Sequence, residues 1–351
     1  MNQKQNTDDL LLESYDFKLP KKLIAQKPLE KRDKSRLLVY NNGNLKHLHF
    51  KDIGCYLCKG DIIIYNNTRV KKTKLFGKKE TGGKVEITLL KHLADKRYKA
   101  LLKMKNPKVG TQILLNEHLN AKIVQNKDFD FIIEFNRDPK KYIEKNGKVT
   151  LPPYVKNPNI KDEEYQTVFA KESGSIAAPT AAFHFTGQLV QELIKKGVRF
   201  YPVCLHIGLG TFAPVKSKNI LEHDMHEEEF FIPEETAKAI NNRKRRLFIV
   251  GTTSLRAVES STDRSGKVLA QKTSTKLFIY PGYKFKLDFD ALITNFHLPK
   301  STLVMLIAAI IGRKELLRTY EIAIKERYRF FSFGDAMLIL RNSEKFEGGN
   351  I

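Results

Sequence analysis

The sequence predicts an α/β fold, a mainly parallel sheet with covering helices, carrying a small inserted antiparallel β-barrel. Two observations lead there. Beyond Tyr165, apolar strand candidates alternate with amphipathic helix candidates, as parallel strands joined by crossover helices require. From Lys71 to about Val149 the chain instead offers short strand candidates separated by Gly, Asn and Lys, with little helical periodicity. These two changes of pattern set the expected boundaries: residues 1–69 and 150–351 form the α/β domain, and residues 70–149 the barrel. A chain of 351 residues has room for both cores.

Each element has a local reason. Phe50, Ile53 and Leu57 at helical spacing mark a short helix. Cys55 and Cys58 read as small residues on it, because no second Cys or His pair completes a tetrahedral zinc site. Asp61-Ile62-Ile63-Ile64-Tyr65 is a buried strand that ends in the polar turn Asn66-Asn67-Thr68-Arg69. Barrel strands are expected at residues 85–90, 98–103, 111–115, 121–125 and 129–135. The consecutive prolines of Leu151-Pro152-Pro153-Tyr154 then mark a boundary. Thr186 caps a helix carrying Leu189, Val190, Leu193 and Ile194, and Gly197 stops it. A strand follows at residues 198–205. Pro233 opens the next helix, with Glu234 and Glu235 favouring its dipole. Leu247-Phe248-Ile249-Val250 and Ala291-Leu292-Ile293-Thr294 are further strands, each leading through a polar turn into a helix.

Composition bounds the function classes. Hydrophobic residues make up 41% and charged residues 29%, which is globular rather than disordered. Sixty-two Lys+Arg against 39 Asp+Glu gives a net charge of +23, which favours a polyanionic partner such as nucleic acid. The chain is Lys-, Asn- and Ile-rich throughout, so an AT-biased composition competes with a selected role as the source of that charge. Clusters at Lys71, Lys72, Lys74, Lys78 and Lys79, and at Arg243-Lys244-Arg245-Arg246, argue for a role. Three cysteines make no disulfide framework. The polar start, Thr7-Asp8-Asp9, is unlike a signal peptide, and the longest apolar run, 303–311, is under half of the ~20 residues a bilayer needs. A cytoplasmic protein without membrane contact is expected.

In α/β sheets ligands bind beyond the carboxyl ends of strands, which brings His206, the Gly251-Thr252-Thr253-Ser254 turn, Asn295 and His297 towards one rim. The turn opens a helix and offers N–H groups to an anion, although it lacks the spacing and lysine of a P-loop. Arg256, one turn in, suits a carboxylate. The small residues of Ile176-Ala177-Ala178-Pro179-Thr180, followed by His184, let backbone pass close to a ligand, and Leu205-His206-Ile207-Gly208-Leu209-Gly210-Thr211-Phe212 repeats that mix. His223 and His226 have the wrong spacing for a helical zinc motif. The aromatics of Tyr328-Arg329-Phe330-Phe331-Ser332-Phe333 suit either base stacking or packing.

Taken together these segments resemble the S-adenosylmethionine:tRNA ribosyltransferase-isomerase family of queuosine biosynthesis. The resemblance rests on Val250-Gly-Thr-Thr-Ser-Leu-Arg256, Thr294-Asn-Phe-His-Leu-Pro-Lys-Ser-Thr302, Tyr328-Arg-Phe-Phe-Ser-Phe-Gly-Asp-Ala-Met337 and the two loops above. Tyr165-Gln-Thr-Val168, Asn66-Asn-Thr-Arg-Val70 and Arg32-Asp-Lys-Ser-Arg36 extend it. Ala182-Phe183 departs from the family's usual Gly-Leu, and Glu227 from its Ser. The family implies transfer of the ribosyl part of S-adenosylmethionine to the aminomethyl group of 7-aminomethyl-7-deazaguanine at the tRNA wobble position. The sugar becomes an epoxycyclopentanediol, and adenine and methionine leave. S-adenosylmethionine is then a consumed substrate, with no cofactor and no metal, and the protein is expected to be a monomer.

That chemistry needs a base beside the sulfonium, an acid for departing adenine and a neutral acceptor amine. Candidate acid/base groups are His184, His206 and His297, with Asp335 and Glu228 to orient them. Arg256 or Arg329 would hold the methionine carboxylate, and Ala178, Pro179, Thr180, Gly208, Gly210, Thr252 and Asn295 would line the substrate site. Arg69, Lys71, Lys72 and Lys74 would meet tRNA. Two alternatives stay open: a metal-dependent hydrolase using His206, His223 and His226, and a non-catalytic RNA-binding module.

Overall fold

The computed structural model describes residues 7–127, 130–157, 159–208, 210 and 215–346. Chain order begins with β1 (Arg36–Asn41), β2 (Asn44–His49), β3 (Ile62–Asn66) and the short β4 (Thr68–Val70). Then come β5 (Lys72–Lys79), β6 (Lys84–Ala94), β7 (Arg97–Lys103), β8 (Gln112–Leu114), β9 (Asn120–Lys127), β10 (Asp130–Phe135), α1 (Lys140–Asn146) and β11 (Lys148–Val149). After the double proline follow β12 (Glu172–Ser175), α2 (Gly187–Lys195), β13 (Arg199–Leu205), β14 (Glu228–Ile232), α3 (Glu234–Asn241), β15 (Leu247–Val250) and α4 (Thr252–Ser260). The last elements are β16 (Gln271–Thr275), β17 (Ala291–Asn295), α5 (Thr302–Ile311), α6 (Arg313–Lys325) and β18 (Ala336–Leu340). Among the described residues no helix is long and apolar enough to cross a membrane.

The main sheet has nine strands in the order β16-β14-β13-β3-β15-β17-β18-β1-β2. It is mixed, which corrects the expectation of a mainly parallel sheet. β13, β3, β15 and β17 run parallel, and so do β18 and β1. The pairs β16–β14, β14–β13, β17–β18 and β1–β2 are antiparallel. The reason lies in the connections. A single crossover helix keeps the strand direction, but two helices in succession, α5 and α6, return the chain to the end it left, so β18 runs backwards. Between β13 and β14 no crossover α-helix lies among the described residues, and β14 pairs antiparallel to β13.

Strand alternation feeds two cores. Ile62 and Ile64 pack with Ile249, Leu255, Val304 and Met305 on one face. Ile63 packs with Phe50, Leu189, Leu193, Phe248 and Phe185 on the other. Thr186 accepts a hydrogen bond from the Leu189 amide at 3.2 Å and caps α2, and Gly197 takes φ +89° just past its end. Pro233 sits one position earlier than a first-turn proline, as the residue preceding α3.

The second sheet, β11-β5-β6-β7-β10-β9-β8, closes on itself through β5–β8, so all its strands but β11 form a barrel. Its pairings are antiparallel throughout, and Leu75, Val85, Ile87, Ala100, Ile113, Ile123 and Ile133 fill it. Each of the strands expected from residues 85–135 is present, though Phe129 lies outside the described residues. β5 is an addition to that set, because its lysines mask the inward alternation of Thr73 and Leu75.

Candidate active site

Strand register places the site. β3, β13, β15 and β17 leave the sheet at Asn66, Leu205, Val250 and Asn295, all at one rim. The reversed strands enter there: Ala336 pairs with Asn295, Leu37 with Ala336, and Phe230 with Leu205. Segments before β1, β14 and β18 therefore meet the loops that follow the parallel strands.

A cavity of about 290 Å³ opens at this rim. Ala178, Pro179, Thr180, Thr252, Asn295 and His297 line it, as the residue types suggested. Thr253 of the anion-binding turn and Phe331 of the aromatic run line it too, and so do Tyr154, Thr294, Lys300, Ser301 and Ser332, to which sequence reasoning gave no role. Ser332, Lys300 and Ser301 do lie inside the family's motifs, so a signal was present. Tyr154 had none beyond its place after the prolines. Gly251, Lys300 and Phe331 have φ of +87°, +56° and +72°. Left-handed backbone is unusual for Lys and Phe, and such residues gather where backbone shape serves a site.

Two helices begin at the cavity. α4 starts at Thr252 directly after Gly251, with no side-chain cap on its amides among the described residues, and α5 starts after Ser301, whose hydroxyl accepts from the Val304 amide at 3.3 Å. Their N-termini give this wall a positive potential suited to an anionic group.

His297 is 9% exposed and lies in the cavity wall. Its Nε2 is 2.9 Å from the Thr294 hydroxyl, and its amide donates to the Tyr320 hydroxyl at 3.1 Å. Burial lowers its pKa to about 3. His184 is more deeply buried, with Nδ1 2.7 Å from the Ser35 hydroxyl and its ring against Phe50. Burial, then the charges of Arg329 and Arg32, lower its pKa to about 3, while the Asn295 side chain acts the other way. Nε2 of His184 and Oδ1 of Asn295 nonetheless make no hydrogen bond of good geometry.

Both imidazoles are therefore neutral at pH 7 and bind fewer protons folded than unfolded between about pH 6.5 and 3. Stability is full above that window and falls as pH drops through it. The expected loss is about 2 kcal/mol per imidazole by pH 5, read as a falling urea midpoint. A midpoint that stays flat from pH 7 to 5 would contradict the buried, neutral assignment.

Glu228 and Arg256 form a buried ion pair beside the cavity. The Gly208 amide donates to Glu228 at 3.1 Å, and Arg256 Nε donates to the Leu277 carbonyl at 3.0 Å. Among the described residues Arg256 Nη2 is buried without a hydrogen-bond partner. Gly210, His223, Met225 and His226 share this small recess with Arg256, and Thr252, Thr253 and Leu303 separate it from the main cavity. Leu209, Thr211 and Phe212 of the glycine loop lie outside the described residues.

Asp335 is buried and mainly orients backbone. It accepts from the amides of Arg329 (2.8 Å) and Arg36 (3.1 Å) and from the Arg329 guanidinium at 3.0 Å. Arg329 and His184 line a separate narrow recess with Ser332, which also faces the main cavity. Phe330 and Phe333 are buried in the packing of the fold, whereas Phe331, also buried, lines the cavity.

His206 is displaced from the other histidines. It lies at β4 and β12, with Nδ1 2.8 Å from the Thr68 hydroxyl. A Cβ on Gly174 would meet its ring at 2.4 Å, so only glycine admits the imidazole there. Burial lowers its pKa, opposed by Glu229. His223 and His226 share a recess that His206 does not line. Among the described residues, no group of three His, Cys, Asp or Glu could hold a metal ion.

Arg69, Lys71 and Lys72 line a cleft of about 420 Å³ between the barrel and the β4–β12 pair. Lys72 lies 4.0 Å from Asp162 and Lys74 2.9 Å from Glu86, so both are partly neutralised. Arg246 binds buried Asp61 ahead of β15, and the 243–246 run lies at the end of the sheet opposite the rim.

A family model described as queuosine biosynthesis protein matches residues 12–339. The chain belongs to that family. This queuosine biosynthesis family member is 48% identical to the S-adenosylmethionine:tRNA ribosyltransferase-isomerase of Carboxydothermus hydrogenoformans, over 94% of this chain and 99% of the relative. It is 47% identical to the enzyme of the same name from Fusobacterium nucleatum, over 93% and 96% of the two chains. Among solved structures it is similar to an S-adenosylmethionine tRNA ribosyltransferase from Thermotoga maritima, with 34% identity, a TM-score of 0.53, and coverage of 93% of this chain and 100% of that one.

Proposed function

We propose that this chain is an S-adenosylmethionine:tRNA ribosyltransferase-isomerase. It transfers the ribosyl group of S-adenosylmethionine, with rearrangement, to 7-aminomethyl-7-deazaguanine at the wobble position of tRNA, releasing adenine and methionine. The observation that carries this reading is the rim cavity, whose wall is built from Ala178-Pro179-Thr180, Gly251-Thr252-Thr253 and the 294–303 segment, the stretches that mark the family.

In this reading the sulfonium makes the neighbouring carbon acidic, and the neutral His297 imidazole accepts that proton. Its Nδ1 is the available nitrogen, since Nε2 is taken by Thr294. The N-termini of α4 and α5 receive the methionine carboxylate in the cavity, while Arg256, behind Thr252 and Thr253, backs that wall from its own recess. Asn295, Thr180 and Ser332 border the space left for the nucleoside. His184, Asp335 and Glu228 act as positioning residues through Ser35, Arg329 and Arg256. The barrel, residues 70–149, and the cleft at Arg69, Lys71 and Lys72 face the tRNA.

The test is incubation with S-adenosylmethionine and precursor-bearing tRNA, followed by nucleoside mass analysis. The epoxycyclopentane adduct should appear with equimolar free adenine. No adduct and no rise in adenine would overturn the assignment.

A further inference from the structure

A second cleft, of about 790 Å³, separates the outer face of the barrel from the segment at residues 151–157. Cross-strand register defines its floor. Phe76 lies opposite Glu86, and Glu86 opposite Lys103. Beside that row, Lys148 faces Lys74, and Lys74 faces Thr88. Phe76 is 52% exposed on the outward side of β5, and the barrel interior makes no use of its ring.

Charge flanks this ring. Lys74 is matched by Glu86 and Asp162 lies by Lys72, but Lys103, Lys148 and Lys156 are exposed and form no ion pair among the described residues. Pro152, Pro153 and Val155 make the opposite wall. Between them Tyr154 faces the other way, into the active-site cavity, where its hydroxyl meets Ser332 at 2.6 Å. One short segment is thus a wall of both spaces.

We infer that this cleft seats unpaired RNA next to the nucleotide being modified, with Phe76 as a stacking surface and Lys103, Lys148 and Lys156 on the phosphates. The inference rests on the proposal that the chain acts on tRNA. An exposed ring between unpaired lysines matches a strand that offers both π-faces and phosphates. A duplex would use only the lysines, and an acidic peptide has no base to stack.

The experiment uses the whole chain and an RNA hairpin carrying the anticodon loop, with 2-aminopurine beside the wobble position. A blunt duplex and a polyglutamate peptide serve as comparisons. Binding should quench the fluorophore. Phe76→Ala should weaken hairpin binding about 10-fold and abolish the quench, while Phe76→Trp keeps both and duplex binding stays unchanged. Thermal melting of Phe76→Ala should match the parent, because the ring is exposed. Lys103→Glu with Lys148→Glu should flatten the salt dependence by roughly 0.7 for each phosphate no longer neutralised. Hairpin binding by Phe76→Ala equal to the parent overturns the inference, and so does equal loss of hairpin, duplex and peptide. Adenine release by the parent with an unchanged RNA KM in Phe76→Ala sinks the cleft and spares the proposed activity. A Phe76-dependent quench without adenine release from precursor tRNA does the reverse.

Discussion

Replacing His297 by alanine is expected to leave a folded chain whose turnover falls by roughly 10²–10⁴-fold, the usual contribution of a positioned acid–base group. Folding should survive because the His297 amide keeps its bond to Tyr320, and a partner for the Thr294 hydroxyl remains at the Asn295 carbonyl, 3.5 Å away. Affinity for S-adenosylmethionine should change far less than turnover, and single-turnover adenine release with a parallel binding titration separates the two. His184→Ala should behave differently. It empties a site packed against Phe50 and strands the Ser35 hydroxyl, so it should lower the melting midpoint as well as the rate. His206→Ala, away from the cavity, should act mainly on RNA binding. Equal rate losses at all three histidines would contradict this separation. So would a fully active His297→Ala.

The largest stability effect is expected at Glu228. Removing its carboxylate leaves the Arg256 guanidinium buried and uncompensated, which typically costs about 3–5 kcal/mol. Glu228→Ala should therefore show a lower denaturation midpoint even with no ligand present. Replacing both partners, Glu228→Leu with Arg256→Met, should recover most of that loss, because a well-packed apolar pair replaces a desolvated ionic one. If Arg256, backing the wall that receives the methionine carboxylate, also supports that group, this stable double variant should still bind S-adenosylmethionine weakly. Normal ligand affinity in the double variant would make the pair purely structural.

Much of this arrangement is legible in the residues. Apolar runs ending in Asn66, Leu205, Val250 and Asn295 read as strands, and the rule that ligands collect beyond strand ends brought Gly251, Asn295 and His297 together. The direction of β18 was not legible. Only one helix was read after the 291–294 strand, and the second, α6, decides which way the next strand runs. His206 was misplaced for a related reason. It follows its strand by one residue, and alternation along an extended backbone turns its ring towards Thr68 and Gly174 rather than into the cavity. Tyr154 and Phe76 escaped notice because exposure and facing direction come from tertiary register, which no local pattern encodes.

The interleaving of incoming and outgoing segments at the rim also bears on how the chain matures. Asp335 fixes the amides of both Arg36 and Arg329, and β18 is the strand that joins β1 to β17. During synthesis Arg36 emerges roughly three hundred residues before its partner, and contacts of such separation form late. A nascent chain halted before Ala336 would hold the barrel and the parallel strands, yet lack the strand that unites the wall near His184 and Ser35 with the one near Asn295. Competence to bind S-adenosylmethionine should then arrive abruptly, with the docking of the last strand, rather than accumulate with chain length.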